Sequence, residues 1–284
     1  MPKEAQGAEP ASEPALRIFS YLPNPRIWKS LITARIAGLT VDVVGAPGGE
    51  LGGWLWDFEP RPLAEGDRDN PEYQVQGRTG FKSTLYKTPA FRSAHPYGTV
   101  PAGFSPDGAT GVFESNSIMR AVARQADPAL GLYGTDVWSA SRVDSFLDVA
   151  LVFARDSQVY LLSFGDRSVS DDIHARAQAG FDTWLGGVES ALTESKYLVG
   201  DGLTIADVCF ACEVTLFSRE RAALWQLAQI GKEPVMTDWE TRYPKSAAHY
   251  SALAEHEAFA PDMRGYLDKL SQDIQRAAER KAES

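Results

Sequence analysis

Cysteine is nearly absent from this chain of 284 residues: Cys209 and Cys212 are the only two, three positions apart in a stretch with helical spacing. A disulfide at that spacing has poor geometry, and the neighbourhood supplies no partners for a metal. Both therefore read as buried thiols in a reducing cytoplasm. Positive charge is scarce too, and the net charge of −10 excludes nucleic acid and anionic membrane as principal partners. No apolar run approaches the ~20 residues of a membrane-spanning helix. Neither a Gly-rich phosphate loop nor a metal-ligand cluster occurs, and His174, His249 and His256 have no carboxylate or nucleophile at a telling spacing. Residues 1–15 lack the apolar core of a signal peptide and read as a disordered leader.

What is present begins with Leu16 to Tyr21, alternating and rich in strand formers, which predicts a strand. Pro23, Asn24 and Pro25 end it. Trp28, Leu31, Ile32, Arg35 and Ile36, at three-and-four spacing, predict a helix stopped by Gly38, and Thr40 to Val44 predicts a second strand. Such a β-α-β unit forms a parallel pair with a right-handed crossover. From Gly45 to about Lys87 the periodicity dissolves into Gly, Pro, Asp and Glu around Trp54, Trp56, Phe58 and Tyr73. The expectation is a long excursion acting as a lid, a binding element or a disordered segment, with the aromatics arguing against plain disorder. Val100 to Phe104 and Gly111 to Phe113 predict a hairpin around Pro106-Asp107-Gly108, and Asn116 to Gln125 a helix. Beyond Asp127 only helical periodicity recurs, over 137–154, 171–193, 205–227, 247–257 and 261–278. The expected organisation is α/β plus all-α: a unit over 16–126 with an insertion at about 45–87, then an all-helical unit over 137–278.

Two segments carry the chemistry. Phe113-Glu114-Ser115-Asn116-Ser117-Ile118 places an acid–hydroxyl pair where a strand gives way to a helix. Helix starts expose unpaired N–H groups and the positive end of the macrodipole, which suits a carboxylate ligand. The plain alternative for Ser115 is an N-cap. Upstream, a cis Val100-Pro101 bond would turn the backbone of Val100 outward to pair with an extended peptide; the alternative is a trans turn proline. Together they describe a seat for a small peptide held by its main chain and its terminal carboxylate, a chemistry that fits glutathione.

The order of these features resembles the glutathione transferase superfamily. Thr88-Pro89-Ala90-Phe91 through His95-Pro96-Tyr97-Gly98-Thr99-Val100-Pro101-Ala102 is similar to its pre-proline segment, and Phe113 to Ile118 to its Glu-Ser helix entry. Tyr197 to Val208, containing Thr204-Ile205-Ala206-Asp207, is similar to its helical-domain signature. The opening Tyr21-Leu22-Pro23-Asn24-Pro25-Arg26-Ile27-Trp28-Lys29 most resembles the transferase-like domain of elongation factor gamma subunits, and related bacterial and fungal transferases share it. The resemblance implies a thioredoxin-like N-terminal domain followed by an all-helical domain. It also implies glutathione as co-substrate and a dimer, either with itself or with a related subunit. Val100, Pro101, Glu114 and Ser115 are then the glutathione seat, with Lys87 and His95 either candidates for its glycine carboxylate or plain solvated side chains. For thiol activation the opening turn offers Asn24 first, then Tyr21 and Arg26; each has a bland alternative as turn former, core aromatic or surface charge. Trp54 and Trp56 are candidates to close over an aromatic acceptor, or simply tack the excursion down. Thr204 to Asp207 has the form of a capping box and is assigned to folding.

The activity so implied is thiolate attack on an electrophilic, aromatic, hydrophobic substrate, with aryl-ether cleavage as its sharpest version. The alternative is a non-catalytic interaction module like the gamma-subunit domain. A reductase acting through a protein cysteine is disfavoured, because the opening turn has no Cys.

Overall fold

The computed structural model describes residues 13–78 and 80–282, so of the expected leader only residues 13–15 fall within it. The opening β-α-β unit forms as read. β1 (Leu16–Tyr21) pairs in parallel with β2 (Val41–Ala46) in the register Leu16↔Val41 to Tyr21↔Ala46. Between them α1 (Pro25–Ala37) starts at Asn24, whose side chain accepts from the Arg26 N–H, with Pro25 in the first turn where its missing N–H costs nothing. It stops at Gly38, which takes the left-handed conformation (φ 68°) that a side chain disfavours. β7 (Ala102–Phe104) and β8 (Gly111–Phe113) form the expected hairpin and complete a sheet of order β2-β1-β7-β8.

The excursion is the main departure from expectation. It folds into a second four-stranded sheet of order β4-β3-β6-β5, from β3 (Trp54–Trp56), β4 (Arg61–Pro62), β5 (Gln74–Gln76) and β6 (Thr84–Lys87). β3 and β6 run parallel, Leu55 opposite Tyr86. Strands of two to four residues leave no alternation to detect. What holds them is aromatic packing. Trp56 meets Phe19, Phe81 and Phe91 edge-on at 5.5–5.8 Å, so one apolar cluster joins the two sheets. The short helix α2 (Pro89–Ala94) leads from this sheet to the Val100-Pro101 turn.

The rest is helical: α3 (Ser115–Ala123), α4 (Val137–Asp166), α5 (Asp171–Glu194), α6 (Ile205–Phe217), α7 (Leu224–Gln229), α8 (Trp239–Arg242), α9 (Pro244–Glu255) and α10 (Ala260–Ala282). α4 runs twelve residues past its expected end at 154 (166 − 154). The helix expected over 205–227 is broken: α6 ends at Phe217, a 3-10 turn covers 218–222, and α7 follows. Every residue of α6 is buried, and α1, α4 and α9 pack around it, so the helix that organises the core also joins it to α1 of the β-α-β unit. The architecture is a small mixed-sheet N-terminal part and a large helical C-terminal part, the thioredoxin-like plus all-helical arrangement. Among the described residues no helix is long and apolar enough to cross a membrane, and no three His, Cys, Asp or Glu side chains gather as a metal site.

Candidate functional site

The Val100-Pro101 bond is cis, and so is Leu22-Pro23, which the sequence reading did not single out. Ladder pairing of β7 with β1 and β8 begins at Ala102, so Val100 lies just past the end of the sheet. At the α3 start the backbone of Glu114 is left-handed (φ 67°), and its exposed side chain makes no capping bond. Holding a non-glycine residue there is unfavourable, and such positions cluster at binding sites. Ser115 is the first residue of the helix rather than its cap; it is buried, and its Oγ accepts a hydrogen bond from Lys29 Nζ at 3.3 Å.

Lys29 is the residue the sequence reading passed over. It points from α1 into the interior at 1% exposure, and its ammonium also donates to Asn116 Oδ1 and to Glu213 Oε1, both at 2.7 Å. Glu213, inside α6, is shared with Arg26, whose guanidinium also donates to Gln158 and to the Ala154 carbonyl of α4. Burial alone would push the Glu213 carboxyl up, but Arg26 and Lys29 outweigh it and hold the pKa below the usual carboxylate value. Burial likewise opposes the Lys29 ammonium; Cys209 and Glu213 outweigh it. Burial keeps the Cys209 thiol protonated, and its Sγ donates to Asn116 Oδ1 at 3.4 Å, so Glu213 is the charge that holds the Lys29 proton at neutral pH. The available signal was a lone acid in a stretch apolar on every side, a residue type that is almost never fully buried unless paired.

The expected activating residues separate. Asn24 is fully buried, with its Nδ2 donating to Ser20 Oγ at 3.1 Å and its Oδ1 capping α1, so both ends of the amide are engaged. Arg26 is committed across to the helical part. Tyr21 is half-buried, and its hydroxyl has no hydrogen bond among the described residues. Burial pushes its pKa up, while Arg26 and Arg219 pull against that rise. Arg219 is exposed in the turn after α6 and also acts on Tyr266 of α10. The Tyr266 hydroxyl is buried without a partner among the described residues, its ring meets Trp28 edge-on at 5.1 Å, and its pKa is pushed up to about 12 by burial. Tyr21, Arg219 and Tyr266 thus bring together β1, the post-α6 turn and α10, a grouping absent from the sequence reading.

Lys87 and His95 are both buried, so neither is the solvated side chain that the sequence also allowed. Lys87 Nζ donates to the Gly98 carbonyl at 2.6 Å and lies 4.5 Å from the centre of the Trp56 ring; burial, aided by Arg78, lowers its pKa to about 8. His95 is enclosed by Phe91, Phe104 and Phe113, and burial lowers it to about 4 against a weaker pull from the Gly103 backbone, so the ring is neutral at pH 7. Among the described residues neither ring nitrogen has a hydrogen bond of normal geometry. Trp56 is a core residue at 1% exposure, with Nε1 donating to the Leu51 carbonyl, whereas Trp54 keeps part of its surface open.

No protein-family model matches the chain. A glutathione S-transferase-like protein of Gibberella moniliformis is 26% identical over 244 residues, covering 84% of this chain and 88% of that one. A probable elongation factor 1-gamma of Arabidopsis thaliana is 32% identical over 210 residues; the match takes in 71% of this chain but 41% of that protein. Among solved structures, a Phanerochaete chrysosporium glutathione transferase in complex with oxidized glutathione superposes with a TM-score of 0.57 at 20% identity, covering 90% of this chain and 97% of that one. Sequence similarity thus runs along two lines, to glutathione S-transferase-like proteins and to elongation factor 1-gamma, and the fold is that of solved glutathione S-transferases.

Proposed function

We propose that the chain is a glutathione transferase. The carrying observation is the α3 entry: a left-handed, exposed Glu114 directly before Ser115, whose hydroxyl opens the helix. In this reading Ser115 and the first N–H groups of α3 receive the γ-glutamyl carboxylate, Glu114 faces its ammonium, and Val100, beside the cis Pro101, pairs with the cysteinyl main chain. Tyr21 supplies the hydroxyl that hydrogen-bonds the thiolate. That hydroxyl has no hydrogen bond among the described residues and carries its proton at neutral pH, as a donor must. In this reading Tyr21, Tyr266 and Arg219, which influence one another electrostatically, would line the acceptor side, and the two rings support a planar aromatic substrate. Cleavage of an aryl ether is the narrowest version of this reading. The exposed apolar residues Val149, Val152 and Val159 on α4 support pairing with a second copy or a related subunit.

Calorimetric titration with glutathione and ultraviolet titration of the bound thiol test the reading together. Binding with a depressed thiol pKa is expected. Tyr21→Phe should raise that pKa by about one to two units and lower kcat/KM roughly 10- to 100-fold. Absence of binding at millimolar glutathione sinks the enzyme reading. Phenol release from a β-aryl ether decides the narrow version separately.

The greater identity to the elongation factor supports a second reading, a non-catalytic module for protein assembly. It requires no thiol activation, so the same titration separates the two.

A further inference from the structure

We propose that Lys29 is a positioning residue for the glutathione seat: it fixes the Ser115 hydroxyl as an outward donor and sets an unbalanced positive charge behind it. The inference rests on Ser115 receiving the γ-glutamyl carboxylate. An ammonium donates and cannot accept. The bond at 3.3 Å from Lys29 Nζ therefore occupies the Ser115 oxygen as an acceptor, and the hydroxyl proton must point elsewhere. Among the described residues nothing accepts that proton. A serine at the head of a helix is ordinarily a free rotor, able to turn its oxygen back onto an N–H of the first turn. Here a buried cation removes that freedom before any ligand arrives.

The charge count points the same way. Lys29 and Arg26 share one carboxylate, Glu213, and among the described residues no other acid contacts either cation. Two positive groups against one negative leave a surplus of one at the foot of α3, where the helix dipole already favours an anion. Lys29 donates to three acceptors, two neutral and one charged, so its geometry is set independently of the ligand. A carboxylate at Ser115 would meet an oriented donor and the missing negative charge in one place, the kind of preorganisation that reduces the cost of ordering on binding.

The test measures Kd for glutathione by calorimetry in the wild type, Lys29→Met, Ser115→Ala and the double variant, beside the analogue whose γ-glutamyl group lacks its α-carboxylate. Lys29→Met leaves Arg26 and Glu213 as a matched pair. Each single variant is expected to weaken glutathione about tenfold, and the double variant by less than the two losses combined, because Lys29 acts in part through that hydroxyl and in part through its charge. The decarboxylated analogue should bind wild type and Lys29→Met equally. In turnover, KM for glutathione should rise in Lys29→Met while kcat at saturation stays within about twofold. Should Lys29→Met not fold, Lys29→Gln, which keeps a donor for Glu213, is read by the same criteria. Unchanged affinity, or losses that add fully in the double variant, overturns the positioning role and leaves the transferase reading intact. A wild type that binds no glutathione overturns both.

Discussion

Glu213 and Glu220 stand seven residues apart, one inside α6 and one in the turn that follows it, and both are sealed from solvent. They titrate in opposite directions. Glu213 touches two cations, and its carboxyl is held below the ordinary value despite its burial. Glu220 is no less well bonded: it accepts from the Met236 N–H at 2.6 Å, the Tyr160 hydroxyl at 2.8 Å and the Val235 N–H at 2.9 Å. Yet burial prevails there and pushes it up to about 7. At Glu220 neutral donors soften the desolvation without reversing it, whereas at Glu213 opposite charge at contact distance does reverse it. The two acids accordingly do different jobs. Glu213 ties α1 and α3 to α6 as part of a charged cluster beneath the candidate site, while Glu220 ties the segment around Val235 to α4.

The comparison is broken most forcefully at Glu213. Glu213→Gln leaves Lys29 and Arg26 without a counter-charge, and the expected loss in urea denaturation is about 3–5 kcal/mol. Adding Lys29→Met should restore a substantial part of it, because the remaining cation, Arg26, keeps Gln158 and the Ala154 carbonyl. A single-variant loss below about 1 kcal/mol would mean that the cluster is solvated and the contrast with Glu220 is not one of charge. Because the folded pKa of Glu213 is depressed, its contribution is present above the ordinary glutamate value of 4.5 and is lost as pH falls below it.

Asp207 sharpens the contrast as a third buried acid, at the start of α6. It accepts from the Thr204 N–H at 2.9 Å, the Thr204 hydroxyl and the Leu198 N–H at 3.0 Å, and it meets His249 Nε2 at 2.9 Å. Asp207→Ala strands two backbone donors and an imidazole. A loss of about 2–3 kcal/mol is expected, with glutathione affinity unchanged within about twofold. A variant that lost ligand binding while keeping its stability would move Asp207 from the scaffold to the site.

The same residues measure how far the sequence could be read. Asp207 was legible because its main partner, Thr204, lies three positions away and the capping pattern is local. The β1-α1-β2 unit and the β7–β8 hairpin were legible for the same reason, since period, proline and turn residues all act within a few positions. Lys29 and Glu213 lie 184 residues apart, and no local rule pairs them. His249 meets Asp207 across 42 residues and looked partnerless in the sequence for that reason. The second sheet failed differently: β3 and β6 are too short to show alternation, and their register depends on the aromatic cluster around Trp56 rather than on spacing. At the site, the Ser115 helix entry could be found, whereas what engages Asn24 (Ser20 Oγ) and Arg26 (Glu213) required the packed structure.

The smallest expected effect is at Glu220, and its signature is a slope. A carboxyl whose pKa rises from 4.5 in the unfolded chain to about 7 in the folded one binds its proton more tightly when folded. The stability it confers is complete below about pH 4.5, declines as pH rises toward 7, and is flat above. That is the reverse of Glu213, whose contribution fails only on the acid side. Glu220→Gln cannot titrate, so its urea stability should lose the decline between pH 4.5 and 7 while differing from wild type by only about 1–2 kcal/mol at neutral pH, where the amide oxygen still accepts one of the three donors. If the decline persists in the variant, another group owns it. If wild type shows no decline, three neutral donors suffice to hold a buried carboxylate charged, and the difference between the two acids does not depend on cations.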